Sequence, residues 1–295
     1  MQPSLFKILH SDAKSILSPT SGFIAQAGFT HSLNPARNCT FGCTYCYVPT
    51  MRVQAGLKAE DWQRWGQFTT FKVNSPELLR KELRHGQVIY CSPLVDPYQP
   101  AERIECLMPR ILTVLLAGPP RVFVIQTRGV LILRDLELLK QLSQRITLRV
   151  SFSVTTDRED VRRWYEPLCD PIFERLDAVR ALRRAGIETY VTVAPVLPCD
   201  PRRLIAMAVD ASGRDIIGDP FHVKAVKAHG AFTRDAANRI SEKRGFLPWH
   251  DPQYMDLVIQ TMQGAAATLG RRFGIGPEAF GWLARPGHAA GAPQP

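Results

Sequence analysis

The feature of this sequence that most constrains its fold is an alternation of strand-like and helix-like segments between residues 75 and 225. Short apolar runs such as Arg121–Thr127 and Thr147–Val154 have the length and β-branched content of buried strands. Segments with apolar residues at helical spacing, such as Phe173–Ala185, follow after short connections. Strands that are joined through helices run parallel, so the pattern predicts a parallel sheet with helices packed on it.

The other elements follow the same period. Further strands are predicted at Gln87–Cys91, Ile187–Val196 and Asp215–Val223, and further helices at Ser75–Gly86, Pro109–Leu116, Arg134–Leu142 and Asp200–Gly213. This count predicts an α/β fold, a partial (β/α)6 parallel barrel over residues 1–225. Residues 226–295 are predicted to form a helical C-terminal extension, with a long helix at Pro252–Phe273 and a disordered tail from about residue 285.

Composition fits a soluble globular protein. Apolar residues make up 45% and charged residues 22% of the chain, which excludes a disordered protein. The longest apolar candidate, Ile111–Leu133, is interrupted by Gly118-Pro119-Pro120 and by two arginines, so no membrane span is expected. The N-terminus lacks an apolar signal core, and we therefore expect a cytoplasmic protein without a membrane partner.

The formal net charge of +10 fits a polyanionic partner such as nucleic acid. The lysines and arginines are scattered, however, and fall mostly on the predicted outer faces of helices. Solvated helix faces explain such a distribution as well as a binding surface does. Charge alone therefore leaves the partner open.

The chain contains seven cysteines, and Cys39, Cys43 and Cys46 fall within eight residues of one loop. An odd number of cysteines without an export signal favours reduced thiols or metal ligands over disulfides. Cys106 and Cys169, like Cys199, stand alone in the sequence and are interpreted as small buried residues.

Three thiols at close spacing favour a soft metal site. Structural zinc needs four ligands, but the sequence contains no second cysteine pair, and the spacing of His31 does not recommend it as the fourth. The alternative is an iron–sulfur cluster held by three thiolates, with one iron left open for a non-protein ligand. Such an open iron is used in radical chemistry with S-adenosylmethionine (SAM).

The spacing Cys39-x-x-x-Cys43-x-Tyr45-Cys46 resembles the signature of radical SAM enzymes. Several shorter motifs resemble the spore photoproduct lyase-like branch, whose members are often labelled DNA repair photolyases: Ser21-Gly22-Phe23, Asn34-Pro35, Tyr45-Cys46-Tyr47 and Asp96-Pro97-Tyr98-Gln99-Pro100-x-Glu102. The resemblance runs from about Ser15 to Pro198. It implies a radical SAM partial barrel with a cluster loop at residues 34–50, a [4Fe–4S] cluster on the three cysteines, SAM as cofactor, and an external one-electron reductant such as flavodoxin or ferredoxin.

The resemblance also implies cofactor-binding residues at the ends of the strands. Tyr45 would lie near the adenine, and Asp96 would receive the methionine ammonium group. Arg128, where relatives commonly carry lysine, would pair with the methionine carboxylate. Ser151 would bind ribose or carboxylate, with Ser153 as a rival on the same strand face. Ala194 would contact the adenine through its backbone.

One family feature is missing. Spore photoproduct lyases use a cysteine at the end of the second strand to return a hydrogen atom to the product, and the best-matching position here is Pro93. If the strand continues, Cys91 lies on the same face as Pro93 and is a candidate hydrogen donor. Tyr47 is a candidate hydrogen relay. Simple packing explains both residues as well.

Three functions are therefore open. The first is a lyase-like radical SAM reaction on nucleic acid, as in DNA lesion repair. The second is radical SAM modification of a peptide, a protein or a small molecule. The third is a non-catalytic metal-binding or electron-transfer protein, which would need a fourth cysteine nearby. His222, His229 and His250 lie in the region where substrate contacts are expected, and are interpreted as surface or core histidines.

Overall fold

The computed structural model describes residues 6–50, 63–221 and 234–287, so His222 and His229 lie outside it. The strands of these ranges are β1 (Lys7–Ser11), β2 (Leu17–Pro19), β3 (His31–Leu33), β4 (Ala36–Arg37), β5 (Phe68–Lys72), β6 (Val88–Cys91), β7 (Val122–Thr127), β8 (Thr147–Ser153), β9 (Glu188–Val193), β10 (Ile216–Gly218) and β11 (Phe273–Ile275). The α-helices are α1 (Gly22–Gln26), α2 (Ser75–Glu82), α3 (Glu102–Glu105), α4 (Leu107–Ala117), α5 (Leu136–Ser143), α6 (Glu159–Tyr165), α7 (Ile172–Arg184), α8 (Pro201–Ser212), α9 (Asp235–Arg244), α10 (Pro252–Thr268) and α11 (Gly276–Ala284). Short 3-10 helices span Val48–Thr50, Val130–Asp135 and Leu247–His250.

The main sheet confirms the predicted α/β architecture. Its strand order is β11-β10-β9-β8-β7-β6-β3-β2, and every neighbouring pair is parallel except β2 with β3. Strands β3 and β6 to β10 supply the six parallel strands of the predicted partial barrel. Among the described residues, β2 and β11 are the edge strands of this sheet.

A second, three-stranded sheet has the order β1-β5-β4. The sequence did not predict it. Strand β5 pairs in parallel with β1 and antiparallel with β4. Because β4 ends at Arg37, this small sheet fixes the start of the segment that carries Cys39, Cys43 and Cys46.

Among the described residues, the C-terminal extension contains helices α9, α10 and α11, and it also contributes a strand to the main sheet. Strand β11 pairs in parallel with β10, with Phe273 opposite Ile216. Helix α10 ends at Thr268, before Gly270 adopts a left-handed backbone conformation with φ +66°. Residues 285–287 still contact β8, since the Thr147 hydroxyl donates to the carbonyl of Gly287 (3.1 Å).

Alternate residues of the central strands fill two separate cores. Ile89 and Phe123 are fully buried in the larger core, on the side where α2, α4 and α5 pack. Val88 and Val122, near the starts of their strands, pack on the opposite side against residues of α1 and α11, including Leu283. This opposite face, which we call the inner face, is therefore covered at the amino ends of its strands. No helix in the described ranges is long and apolar enough to cross a bilayer.

Candidate active site

The three cysteines lie on a loop (residues 38–47) beyond the carboxyl end of the first parallel strand. The Asn34 carboxamide oxygen accepts hydrogen bonds from the Ser92 hydroxyl (2.7 Å) and the Leu94 amide (3.0 Å), which ties the ends of β3 and β6 together. All three cysteines are free thiols, two of them buried and the third half-buried: Cys39, Cys43 and Cys46. Parallel sheets place their ligand sites at this edge of the sheet.

The shape of the loop depends on two backbone positions. Asn38 has φ 64°, and its side-chain oxygen accepts a hydrogen bond from the Cys39 amide (2.7 Å). Gly42 has φ 61° and packs against Gly66, where an added Cβ would lie 2.7 Å from the Cα of Gly42. Both glycines are therefore required by the close approach of these two chain segments.

Two neighbouring segments hold the cysteine loop in place. The Thr40 amide donates to the side-chain oxygen of Gln99 (2.8 Å), and the Thr44 amide donates to the carbonyl of Tyr165 (2.9 Å). Gln99 belongs to the motif that follows β6, and Tyr165 ends α6. The loop is thus anchored to the ends of two βα units.

The electrostatic surroundings of the three thiols differ. Burial raises the pKa of Cys39 and raises that of Cys46 to about 12. The pKa of Cys43 is lowered by its side-chain hydrogen bond with Cys169 and by the positive charge of Arg128. The two sulfurs are 3.7 Å apart. The interpretation of Cys169 as an isolated buried residue is therefore incomplete, since it is in contact with the cysteine loop.

The donor chemistry of the loop fits an iron–sulfur cluster. It supplies three free thiols, one of which has a lowered pKa, and thiolates are the ligands that such clusters use. Within residues 6–50, 63–221 and 234–287, no three His, Cys, Asp or Glu side chains come close enough together to hold one metal ion. The assignment of Cys39, Cys43 and Cys46 as cluster ligands stays a prediction.

A buried carboxylate that the sequence analysis missed lies directly beneath this loop. Glu166 is fully buried and accepts hydrogen bonds from the Tyr45 hydroxyl (2.5 Å), Arg128 (2.5 Å), the Thr155 hydroxyl (2.8 Å) and Arg175 (2.6 Å). Burial alone would raise the pKa of Glu166, but the guanidinium charges of Arg175 and Arg128 lower it to about 2. Glu166 is therefore an anion that joins the cysteine loop to the ends of three other segments.

Asp96 joins the ends of β6 and β7. One oxygen accepts from the Thr127 hydroxyl (2.6 Å) and the Tyr98 amide (2.9 Å), and the other accepts from the Arg128 amide (2.8 Å). Burial raises the pKa of Asp96, and these donors oppose the rise. The side chain is half-buried, so it anchors the strand ends and keeps an oxygen with capacity for a further donor.

Polar side chains continue along the inner face. The side-chain oxygen of Gln126 accepts from the hydroxyls of Ser151 (2.6 Å) and Tyr90 (2.7 Å), and its amide nitrogen donates to Ser153 (2.8 Å). The Ser151 hydroxyl also contacts that of Thr192. Both candidate serines thus lie on this face, as their spacing predicts, and both are bonded to protein groups.

Ala194 follows β9 and is half-buried on the inner face. The strand ends at Val193, two residues before Pro195, which has no amide hydrogen for the ladder. The Asp219 amide donates to the carbonyl of Val193 (3.1 Å), so the ends of β9 and β10 are fixed beside Ala194. Its contact with adenine stays a prediction.

Cys91 and Tyr47 lie in different surroundings. Cys91 is fully buried in the larger core, aligned with Leu33 and Ile125, so its thiol faces the helices. Strand β6 also ends at Cys91, which removes the basis for placing Cys91 and Pro93 on one face. Tyr47 is 38% exposed, and its hydroxyl donates to the carbonyl of Pro93 (2.6 Å).

The two described histidines that entered the sequence argument occupy ordinary structural positions. His31 begins β3, at the opposite end of the sheet from the cysteine loop, and its ring contacts the Thr30 hydroxyl (2.9 Å). His250 stacks on Phe221 and shares a hydrogen bond with Ser241 (2.8 Å). Neither contacts the cysteines.

Comparison with known families agrees with this geometry. A family model described as the radical SAM superfamily matches residues 33–204, which run from the end of β3 into α8. The chain belongs to the radical SAM superfamily. The matched residues contain the cysteine loop, Asp96, Arg128 and Ser151, so the site lies within the part of the chain that defines the superfamily.

The radical SAM chain has uncharacterized relatives in archaea and bacteria. A protein of Methanocaldococcus jannaschii is 27% identical over 195 residues, which cover 66% of this chain and 70% of the relative. A protein of Mycobacterium tuberculosis is 32% identical over 180 residues, which cover 59% of this chain and 52% of the relative. The match therefore spans about half the length of the mycobacterial relative.

Among solved structures, the radical SAM chain resembles spore photoproduct lyase. A structure of that enzyme in complex with a dinucleoside spore photoproduct gives a TM-score of 0.63 at 12% identity, covering 91% of this chain and 81% of the other. At this level of identity, the likeness establishes a shared fold.

Proposed function

We propose that this protein is a radical SAM enzyme in which Cys39, Cys43 and Cys46 hold a [4Fe–4S] cluster. The observation that carries the proposal is the placement of these free thiols on one anchored loop beyond the first parallel strand, within the matched family range. A cluster of this kind with SAM supplies reductive cleavage to a 5′-deoxyadenosyl radical, which takes a hydrogen atom from the substrate. The electron comes from an external donor such as flavodoxin or ferredoxin.

The residues around the loop supply the cofactor contacts in this proposal. Asp96 receives the methionine ammonium group through its remaining acceptor capacity. Arg128 pairs with the methionine carboxylate, and Tyr45 lies beside the adenine. Ser151 and the backbone of Ala194 complete the set on the inner face.

The proposal predicts that the reconstituted protein cleaves SAM. Under anaerobic conditions with a strong reductant, 5′-deoxyadenosine and methionine are expected, and no cleavage is expected when the reductant is omitted. A deuterated substrate should transfer its label to 5′-deoxyadenosine, because the radical takes the hydrogen directly. A protein that carries the cluster and binds SAM but forms no 5′-deoxyadenosine with any reductant would contradict the proposed reaction.

For the substrate, we propose nucleic acid, with lyase-like repair of a DNA lesion as the reaction. The net charge of +10 supports this, as does the shared fold with an enzyme that has been solved with a dinucleoside photoproduct. A cluster of arginine and aromatic side chains on the surface also supports nucleic acid as the substrate. Trp164 and Phe246 have ring centroids 6.0 Å apart, with Arg244 4.2 Å from the Trp164 ring and Arg158 5.5 Å from the Phe246 ring.

This cluster, which we call the Trp164 patch, suits single-stranded nucleic acid. Aromatic rings and guanidinium planes stack on bases, while arginine also pairs with phosphate. Trp164 is on α6, whose last residue, Tyr165, anchors the cysteine loop. The patch therefore combines a helix that anchors the cysteine loop with Arg244 and Phe246 of the C-terminal extension.

The Trp164 patch predicts salt-dependent binding of a single-stranded DNA oligonucleotide. Trp164→Ala is expected to weaken binding by about tenfold, since stacking is worth about 1–3 kcal/mol per base. Arg244→Ala should reduce the slope of log affinity against log salt by about one. Fluorescence anisotropy across a salt series measures both. The control is Arg271→Ala, an exposed arginine next to the edge strand β11. Salt-independent binding, or equal losses in Arg244→Ala and the control, would contradict a nucleic-acid surface here.

Radical SAM modification of a peptide, protein or small molecule is the second candidate. The position of Cys91 favours it, because a thiol buried on the helix side of the sheet does not face a substrate on the inner face. We therefore do not assign hydrogen return to Cys91. Tyr47, which is exposed beside Cys46, keeps its proposed role as a hydrogen relay.

A further inference from the structure

Arg128 is held by one edge of its guanidinium group. Its Nη1 atom donates to Glu166 (2.5 Å) and also to the Tyr45 hydroxyl oxygen. Among the described residues, no acceptor hydrogen-bonds to its other two guanidinium nitrogens, and the side chain is 15% exposed. One edge of the fork is therefore fixed by protein, and the other is available for a ligand.

Two guanidinium groups beneath the loop share one carboxylate. Arg128 and Arg175 carry two positive charges, and Glu166 carries the single negative charge that contacts both. Arg175 and Glu166 are fully buried, and Arg128 is the partly exposed member of this set. A carboxylate matches the two free donors of its guanidinium group in charge and geometry.

We propose that Glu166 is a positioning residue, which sets the orientation of Arg128 and Tyr45 so that the free edge of Arg128 meets the carboxylate of SAM. The inference rests on the proposed function. Glu166 itself is buried beneath the loop, and it acts through the two side chains that it holds. The Tyr45 hydroxyl donates to Glu166 while accepting from Arg128, so the three groups form a closed hydrogen-bonded set.

The test compares the affinity of the reconstituted protein for SAM with its affinity for decarboxylated SAM, which lacks only the carboxylate. Glu166→Gln is expected to keep the iron content and visible absorption of the wild type but to reduce the preference for SAM by about tenfold, the effect of one charged hydrogen bond. Arg128→Met should reduce the preference by at least as much, because it removes the cation itself.

Glu102→Gln is the matched control. Glu102 is also a buried carboxylate paired with an arginine, Arg134 (2.9 Å). It accepts hydrogen bonds from the first two backbone amides of α4 and does not contact the cysteine loop. It should keep the wild-type preference. Because Glu166→Gln leaves Arg175 without its partner and can fail to fold, Glu166→Asp is the second variant. Aspartate keeps the buried charge but is too short to reach both arginines, so this variant should also lose its preference for SAM over decarboxylated SAM.

Two results would overturn the inference. The first is that Glu166→Asp, or folded Glu166→Gln, prefers SAM over decarboxylated SAM as strongly as the wild type does. The second is an equal loss of affinity for SAM and for decarboxylated SAM, which would indicate a purely structural role for Glu166. Failure of the proposed function looks different, because the wild-type protein itself would then hold no cluster or bind no SAM. That result would overturn this inference with it.

Discussion

Replacing Cys43 with alanine is expected to remove nearly all iron and visible absorption from the anaerobically reconstituted protein. Three thiolates hold three corners of a cubane cluster, and loss of one leaves two irons without a protein ligand. Iron analysis and the absorption spectrum measure the effect, and Cys39→Ala and Cys46→Ala should follow the same course.

Cys169→Ala is the matched control for this prediction. The Cys169 sulfur lies 3.7 Å from that of Cys43, and the residue is equally buried, but it is outside the cysteine loop. The variant should retain its iron. If Cys169→Ala loses as much iron as Cys43→Ala, the cluster is held by four thiolates, and the open iron on which the proposed function depends does not exist. Stoichiometric zinc with no capacity for iron would contradict the prediction as well.

The central part of the fold is predictable from sequence because its signals are local. Strands β7 and β8 are long apolar runs, and their predicted and observed bounds agree within one residue. The three-residue strand β11 is too short to show a period, and its place in the sheet is decided by pairing with a strand more than fifty residues away. The same holds for β1, β4 and β5, whose sheet depends on contacts across the cysteine loop.

The candidate site also contains residues that local sequence signals predict and residues that they do not. The cysteine spacing is a local signal, and the structure places all three cysteines on one loop. Glu166 and Cys169 are separated from their partners Tyr45 and Cys43 by 121 and 126 residues, and nothing in the sequence around them distinguishes them from other residues near a helix end. The candidacy of Cys91 as hydrogen donor depended on continuation of its strand: alternation along a strand predicts a face only as far as the strand continues, and β6 ends at that residue.

The second large effect is expected from Arg175→Met. Arg175 is fully buried, donates to Glu166 (2.6 Å) and donates to the Asp170 carbonyl (2.8 Å). Removing one partner of a buried ion pair leaves the other insufficiently compensated, and we expect a loss of about 3 kcal/mol in the free energy of unfolding. Urea denaturation measures it. The control is Arg180→Met on the same helix, whose ion pairs are exposed and should cost less than about 1 kcal/mol.

The dependence of this loss on pH separates charge from packing. The pKa of Glu166 is lowered from its ordinary value of 4.5 to about 2, so its ionised form stabilises the folded state fully above pH 4.5 and loses that effect as the pH falls toward 2. Without Arg175, this pKa should rise, so the ionised form of Glu166 stabilises the variant less and less stability is lost on acidification. The difference in stability between the wild type and Arg175→Met should therefore narrow as the pH falls from about 4.5 toward 2. A difference that stays constant over this range would mean that Arg175 stabilises the fold by filling space, and that its pairing with Glu166 contributes little.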